Sequence, residues 1–203
     1  MLASEMTDLA PSAHERRSEH ERGKRERLIG GALQVVHEQG VEKTTIADVA
    51  HAADVPQGNV YYYFKTKDEL IAAAIEAHAT EIRQTLASFQ RHHDPKARLK
   101  ALVRMFVQRR DLVARYGCPQ GTLCSELDKR EDGLEHACAE MMRLPIDWAE
   151  EQFRSMGRRD ARDLAVALIA AYQGTALLTN TFRDPNLMAR EGRRLERWID
   201  SLA

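Results

Sequence analysis

The segment TTIADVAHAADVPQGNVYYYFKTKDEL, residues 44–70, carries the signals of a short helix near its beginning. Thr45 and Asp48 stand three residues apart, which is the spacing of a capping box, with Asp in place of the usual Glu or Gln. The apolar and small residues that follow continue for about two turns. This pattern predicts a helix over residues 46–52.

A turn and a second helix follow directly in the same segment. Asp54 tolerates the left-handed backbone conformation of a tight turn better than most residues do. Pro56 suits the first turn of a new helix because its φ angle is fixed. The sequence therefore predicts helix, tight turn and helix, with the second helix over residues 56–64.

Three successive tyrosines, Tyr61-Tyr62-Tyr63, dominate that second helix. Neighbouring helical residues point about 100° apart, so the three rings and Phe64 cannot all face one core, and at least one ring is expected to face solvent. Residues 55–67 contain two lysines and no acid. Small and polar residues followed by hydroxyl and ammonium groups are typical of a helix that enters a DNA major groove. A buried aromatic turn with a solvated flank is the alternative.

Helical periodicity extends outward from this segment in both directions, and no strand-like alternation of useful length occurs. Pro145 is expected to kink or split one helix, and Asp160 is expected to cap another. Residues 1–21 are expected to form a flexible tail. The further helices are predicted at about residues 22–39, 67–92, 95–116, 132–156, 161–182 and 186–202, with a short apolar piece at residues 122–127.

Composition limits the class of protein. The 203 residues are 43% hydrophobic and 30% charged, as in globular proteins, and the net charge of -1 does not by itself indicate a nucleic-acid partner. Three cysteines cannot form a closed disulfide framework, which favours a reducing compartment. The sequence shows no apolar signal region and no run of about 18 apolar residues, so we expect a cytoplasmic protein without a membrane span.

Residues 22–70 resemble the DNA-binding domain of the TetR/AcrR family of transcriptional regulators. The resemblance covers about a quarter of the chain. It is carried by Thr44-Thr45-Ile46, Asp48-Val49-Ala50, Ala53-Asp54-Val55, Gly58-Asn59-Val60-Tyr61-Tyr62-Tyr63-Phe64 and Lys67-Asp68-Glu69-Leu70. It implies an all-α fold in which a helix-turn-helix DNA-binding domain, residues 22–67, is joined by a long helix to a helical effector-binding and dimerisation domain, residues 68–203.

The resemblance also implies the residues that contact DNA. Thr44 and Thr45 would hold phosphates, three residues at the start of the second helix would face base edges, and the tyrosines and lysines would reach bases or phosphates. Asp54 stands where the family usually has glycine, and its charge would slightly weaken DNA binding. The expected contacts are Thr44, Thr45, Gln57, Gly58, Asn59, Tyr61, Tyr62, Lys65 and Lys67.

The remainder of the chain carries weaker signals. The resemblance implies a homodimer that binds a palindromic double-stranded operator. A small hydrophobic effector would release it from that operator. Large polarizable side chains are candidates for the effector pocket, although such a stripe is more often core: Met105, Phe106, Cys118, Met141, Met142, Trp148 and Phe153. Candidates for the dimer interface, with intramolecular core as the alternative, are Ala167, Ala171, Gly174, Leu178, Leu195 and Trp198.

Other functions are conceivable from the cysteines and histidines. Cys118, in a loop-like break, is a candidate sensor thiol, and Cys124, His136 and Cys138, or His92 and His93, are candidate metal ligands that match no zinc-finger spacing. A Cys118–His136 enzyme is a remote alternative. We find no nucleophile elbow, phosphate loop or nucleotide fingerprint, and we expect no enzyme activity, cofactor or metal.

Overall fold

The regular structure of the chain is helical throughout the part that is described. A computed structural model describes the backbone of residues 13–202 and the side chains of residues 22–202. It confirms the all-α fold, with an N-terminal helix-turn-helix domain followed by a helical C-terminal domain. The helices are α1 (Ala13–Gln39), α2 (Ile46–Ala52), α3 (Gln57–Tyr63), α4 (Lys67–Ser88), α5 (Pro95–Gln108), α6 (Arg110–Tyr116), α7 (Pro119–Leu127), α8 (Leu134–Ser155), α9 (Ala161–Phe182) and α10 (Pro185–Ser201).

Several helix boundaries differ from the sequence prediction. Helix α1 begins at Ala13, inside the stretch expected to be a flexible tail, and residues 1–12 of that stretch lie outside the described residues. The single helix expected over residues 95–116 is broken at Arg109, whose φ of -90° and ψ of 4° are not helical. No glycine or proline marks that break, so no local residue pattern predicts it.

Two local expectations in the C-terminal half are met only in part. Pro145 does not split α8, because proline removes one backbone hydrogen bond while the buried face of a six-turn helix holds the remainder in place. Asp160 is the N-cap residue of α9, but its side chain makes no capping hydrogen bond. Its carboxylate instead accepts two hydrogen bonds from the Arg158 guanidinium, both at 2.9 Å.

The N-terminal domain packs around a small core under the helix-turn-helix. Leu28 of α1 and Val60 of α3 are fully buried, and Val49 of α2 and Leu70 of α4 are 1% exposed. Gly31 allows α1 to approach α2 closely, since a Cβ there would lie 3.1 Å from the Val49 carbonyl oxygen. The orientation of α3 therefore depends on the fit of α1 against α2.

Two further clusters organise the C-terminal domain. One joins α5, α8, α9 and α10, and the other joins α4, α7 and α8 to the end of α1. Three residues expected at a pocket or an interface belong to these cores. Phe153 and Met141, expected in the effector pocket, are 0% and 1% exposed, and Leu195, expected at the dimer interface, is 4% exposed. An apolar helical period does not distinguish a core residue from a pocket residue or an interface residue, because the same apolar stripe occurs at all three kinds of site.

A matched pair of glycine substitutions tests the close approach of α1 to α2. Gly31→Val should lower the free energy of unfolding by about 1–3 kcal/mol, because backbone atoms of α2 occupy the space its side chain needs. Gly30→Val should change it by less than about 0.5 kcal/mol, since nothing lies within 4 Å of a Cβ at that position. Urea unfolding measures both. Equal free energies of unfolding for the two variants would contradict the packing.

Candidate nucleic-acid interface

The first helix of the motif is fixed at its start by the predicted capping box. The Thr45 hydroxyl accepts a hydrogen bond from the Asp48 backbone N–H at 3.1 Å, and the Asp48 carboxylate accepts one from the Thr45 N–H at 2.9 Å. The Thr45 hydroxyl also donates to that carboxylate at 2.7 Å. These hydrogen bonds from Thr45 lower the pKa of Asp48, so its carboxylate stays ionised to more acidic pH than an ordinary aspartate does.

The turn between α2 and α3 adopts the conformation that the sequence predicts. Asp54 has a φ of 50°, in the left-handed region, and its side chain is fully exposed. The Val55 N–H donates to the Ala50 carbonyl at 3.0 Å, which closes the turn. The Asp54 carboxylate lies 3.8 Å from the Arg27 guanidinium, so a cation of α1 partly offsets its charge.

Helix α3 presents one face to the core and the other to solvent. Val60 is fully buried, and Phe64, the residue that ends the helix, is 3% exposed. Tyr61 and Tyr62 are 51% and 66% exposed. This arrangement confirms that tyrosines of the triplet face solvent and excludes the alternative of a wholly buried aromatic turn. Gln57, Gly58 and Asn59 at the start of α3 are also exposed.

The Tyr62 ring is held from one side. The rings of Tyr62 and Tyr63 meet edge to face, with centroids 4.9 Å apart and planes at 85°. Tyr63 is half-buried against the N-terminal core. A ring supported in this way loses less conformational entropy when it contacts a ligand than a freely rotating ring does.

The two lysines after α3 extend over the neighbouring backbone. The Lys65 ammonium donates to the Tyr61 carbonyl at 2.9 Å. The Lys67 ammonium, at the first residue of α4, donates to the Glu42 carbonyl at 3.2 Å, which ties α4 to the loop between α1 and α2. Both cations stand close to the exposed face of the motif without a carboxylate partner among the described residues.

Thr44 does not fit its expected role. Its side chain is 2% exposed, and its hydroxyl donates to the Gly40 carbonyl at 2.6 Å. Thr44 therefore fixes the turn after α1 and is unavailable to a phosphate. Thr45, its neighbour in the sequence, is the exposed one of the pair.

A small cavity of about 70 Å³ lies between α4, α5, α7, α8 and α9. Of the side chains expected at a pocket, Met105, Phe106 and Cys118 line it. The Phe106 and Tyr172 rings are stacked in its wall, with centroids 3.6 Å apart and planes at 12°. Its walls are therefore mainly apolar and aromatic.

The polar residues of this cavity that the sequence analysis missed are His78, Glu81, Thr85, Arg109, Gln120 and Tyr172. Burial raises the pKa of Tyr172 well above its usual value and lowers the pKa of His78, so both are neutral at pH 7. No hydrogen bond or ion pair to the Arg109 guanidinium occurs within the part of the chain that the structure covers. Arg109 and Glu81 thus bring charges of opposite sign to the cavity wall. The polar residues come from α4, the break between α5 and α6, α7 and α9, and no local pattern connects them.

A larger cavity of about 600 Å³ opens between α7 and α9. Met142 and Cys118 are the expected pocket residues that line it, together with Gly117, Glu126 and Gln173. Trp148, another expected pocket residue, lines a separate surface groove between α4 and α8. The expected pocket side chains therefore do not converge on one site.

Helix α9 carries an apolar face that no described residue of the same chain covers. Of the expected interface residues, Ala167, Gly174 and Leu178 are exposed, and Ala171 is half-buried. Trp198 instead packs edge-on against Phe153, with ring centroids 5.9 Å apart, and belongs to the monomer core. Exposed residues that the sequence analysis did not single out extend the face: Val166, Leu177 and Phe182.

The same exposed face explains a second property of α9. By length and apolar composition alone, α9 is the one helix in the described residues that could cross a membrane. Only 33% of its most apolar stretch is buried in the monomer. A helix at a subunit interface has the same composition, so this property does not by itself indicate a membrane span.

The thiol and metal alternatives find no support in the structure. Cys118 is 6% exposed, and its sulfur accepts hydrogen bonds from the Tyr172 hydroxyl and the Gly121 N–H, each at 3.4 Å. The adjacent Cys138 and burial raise the pKa of the Cys124 thiol, which disfavours the thiolate that a metal requires. No group of three His, Cys, Asp or Glu side chains suited to a metal ion occurs among the residues described, and His136 points to solvent.

Two family profiles together match most of the chain. Residues 28–74 match the family described as "Bacterial regulatory proteins, tetR family". Residues 71–193 match "Transcriptional regulator LmrA/YxaF-like, C-terminal domain". The boundary between the two matches falls at the start of α4, directly after the helix-turn-helix.

Full-length relatives and solved structures agree with these matches. The chain is 28% identical over 171 residues to the HTH-type transcriptional regulator LmrA of Bacillus subtilis, covering 79% of this chain and 88% of that relative. It is 26% identical over 188 residues to the HTH-type transcriptional regulator TtgR of Pseudomonas putida, covering 87% and 88%. The crystal structure of the regulatory protein TetR from Rhodobacter sphaeroides superposes with a TM-score of 0.75 at 25% identity, covering 85% of this chain and 96% of that one.

Proposed function

We propose that this chain, which belongs to the TetR family of bacterial transcriptional regulators, binds a two-fold symmetric operator as a homodimer and is released by a small-molecule effector. The observation that carries the proposal is the exposed face of α3. Its polar start and its two exposed tyrosines stand on a helix whose opposite face is buried. We expect the outcome to be repression, exerted in the cytoplasm where the operator is.

The geometry supports specific DNA contacts. The first turn of α3, with Gln57 and Asn59, would face base edges in the major groove. Tyr61 and Tyr62 would contact bases or sugar-phosphate from the next turn, and Lys67 would neutralise a phosphate. Because the net charge of the chain is only -1, local cations rather than the overall field would supply the electrostatic part of the affinity.

The exposed apolar face of α9 supports the dimer. Leu177 and Phe182 are 67% and 65% exposed, and their burial by a second copy would remove apolar surface from water. Gly174 adds no side chain to the face, which allows a partner helix to approach closely. A two-fold pairing of this face uses the same surface on both subunits.

The small cavity would take no more than a single aromatic ring with a negative or strongly polar group, because its volume of about 70 Å³ is below the roughly 300–1,000 Å³ of typical ligand sites. Its stacked Phe106–Tyr172 pair offers an apolar surface, and the Arg109 guanidinium offers a positive charge, although the Glu81 carboxylate in the same wall would repel a negative group placed beside it. Two recognition helices of a dimer must fit half-sites about 34–36 Å apart, so a shift of a few ångströms in their separation would break many contacts together. An effector that favours the shifted arrangement would release the operator, and operator DNA would weaken effector binding by the same factor.

Substitutions in the exposed face of the motif test operator binding. The probe is a duplex selected by the wild-type protein from random-sequence DNA. Lys67→Ala should weaken binding and reduce the slope of log Kd against log salt by about one, because one phosphate contact is lost. Tyr62→Ala should weaken binding at every salt concentration, and Tyr62→Phe should show whether the ring or the hydroxyl is responsible. Lys129→Ala, an exposed lysine of the C-terminal domain, is the matched control. Unchanged affinity for both Lys67→Ala and Tyr62→Ala would contradict the assignment.

A pair of equally exposed leucines tests the dimer. Leu178 and Leu112 are 48% and 47% exposed, on α9 and α6. Leu178→Arg should produce monomers at micromolar concentration in sedimentation velocity, because it places a charge in the apolar face. Leu112→Arg should sediment as wild type does. A wild-type monomer, or a Leu178→Arg variant that remains dimeric, would refute the proposed interface.

Thermal shifts with two small aromatic probes test the effector cavity. Millimolar benzoate should raise the melting temperature of the wild-type protein by mass action, and neutral benzamide, of similar shape, should raise it less. Arg109→Gln should remove the difference between the two probes. A benzoate shift that Arg109→Gln leaves intact, or no shift with either probe, would count against this ligand class.

A further inference from the structure

A single carboxylate joins the C-terminal domain to the turn that follows α1. The Glu126 side chain, on α7, accepts a hydrogen bond from the Val41 backbone N–H at 2.6 Å. The approach is close enough that a side chain at the preceding position would displace the carboxylate. A Cβ at Gly40 would lie 2.8 Å from a Glu126 carboxylate oxygen, and the Gly40 φ of 88° is itself a conformation that favours glycine.

A second bond crosses the junction nearby. The His37 ring nitrogen Nε2 lies 3.0 Å from the Gly117 carbonyl oxygen, at hydrogen-bond distance. The His37 ring also packs on Tyr116, with centroids 5.6 Å apart. The end of α1 is thus held at two points by the segment that runs from the end of α6 into α7.

The turn held by Glu126 supports three parts of the DNA-binding motif. The Gly40 carbonyl accepts the Thr44 hydroxyl, and the Glu42 carbonyl accepts the Lys67 ammonium. Thr45, at the end of the turn, caps α2. A displacement of residues 40–42 would therefore move the phosphate-binding lysine and the start of α2 together.

The residues that hold the turn also line the larger cavity. Glu126 and Gly117, the two acceptors at the junction, both contribute to the wall of the 600 Å³ space between α7 and α9. A movement of α7 at that wall therefore also moves Glu126, the hydrogen-bond acceptor that α7 contributes to the junction.

We propose that Glu126 is a positioning residue for operator binding: its carboxylate holds the α1–α2 turn, and displacement of α7 at the larger cavity loosens that turn and weakens operator binding. This inference rests on the proposed DNA-binding function. It adds a residue that lies outside the helix-turn-helix, touches no DNA and acts through the Val41 amide. The contact between the carboxylate and the turn therefore depends on the glycine at residue 40 as well as on the carboxylate.

Hydrogen exchange and operator affinity, measured on the same full-length variants, test the proposal. The Val41 amide should exchange slowly in the wild-type protein and much faster in Glu126→Ala. Glu126→Ala should bind the selected duplex more weakly, by up to about tenfold, because operator binding must then order the released turn at a cost no larger than the hydrogen bond that held it. Its salt slope should equal that of wild type, since no phosphate contact is lost. Glu126→Gln keeps an oxygen that can accept from Val41 and should recover most of the affinity.

Ser125→Ala is the matched control, because Ser125 is exposed, lies beside Glu126 and lines the same cavity. It should leave Val41 exchange and operator affinity unchanged. Stoichiometric titration gives the active fraction of each variant, so a loss of folded protein is distinguished from a change in Kd. Operator affinity of Glu126→Ala that equals or exceeds that of wild type, or Val41 exchange that is fast already in wild type, overturns the proposal. A wild-type protein that selects no duplex would instead refute the DNA-binding function itself.

Discussion

The exposed face of α3 depends on the burial of Val60 and Phe64 beneath a helix of only two turns. Such a helix is not stable alone, because helix nucleation costs more free energy than the hydrogen bonds of two turns recover. Its contacts with Leu28 and Val49 fix its rotation, and a fixed rotation places Tyr61 and Tyr62 on the solvent side. The exposed, polar face of α3 is thus a consequence of what the opposite face buries.

The rest of the structure secures that helix from a distance. The capping box at Thr45 and the left-handed turn at Asp54 set the direction from α2 into α3. Helix α4 begins within the N-terminal core and continues into the core shared with α7 and α8. Because the end of α1 belongs to that shared core, the DNA-binding domain cannot shift freely against the cavities. A regulator needs this connection, since an effector acts on the operator only through differences in packing between two arrangements of the chain.

Local chemistry made the N-terminal domain predictable from sequence, whereas tertiary contacts decided the remainder. The bounds of α2 follow from the Thr45–Asp48 spacing, and these residues lie within three positions of each other. The spacing to Asp48 identifies Thr45 as the cap of α2, but only the position of the Gly40 carbonyl shows that Thr44 faces inward. The sequence does not identify Phe153 and Leu195 as core residues. An apolar stripe on a helix can pack against the core, a ligand or a partner subunit equally well. The Glu126–Val41 contact joins positions 85 residues apart and leaves no local signal.

The most direct test of the central claim is a dimethyl sulfate footprint on the duplex that the wild-type protein selects. If α3 is the element that reads DNA in a two-fold dimer, guanine N7 atoms in the major groove should be protected in two patches. Their centres should lie one helical turn apart, about 34–36 Å, or a multiple of that distance. Protection confined to adenine N3 in the minor groove, or to a single patch, would contradict the account.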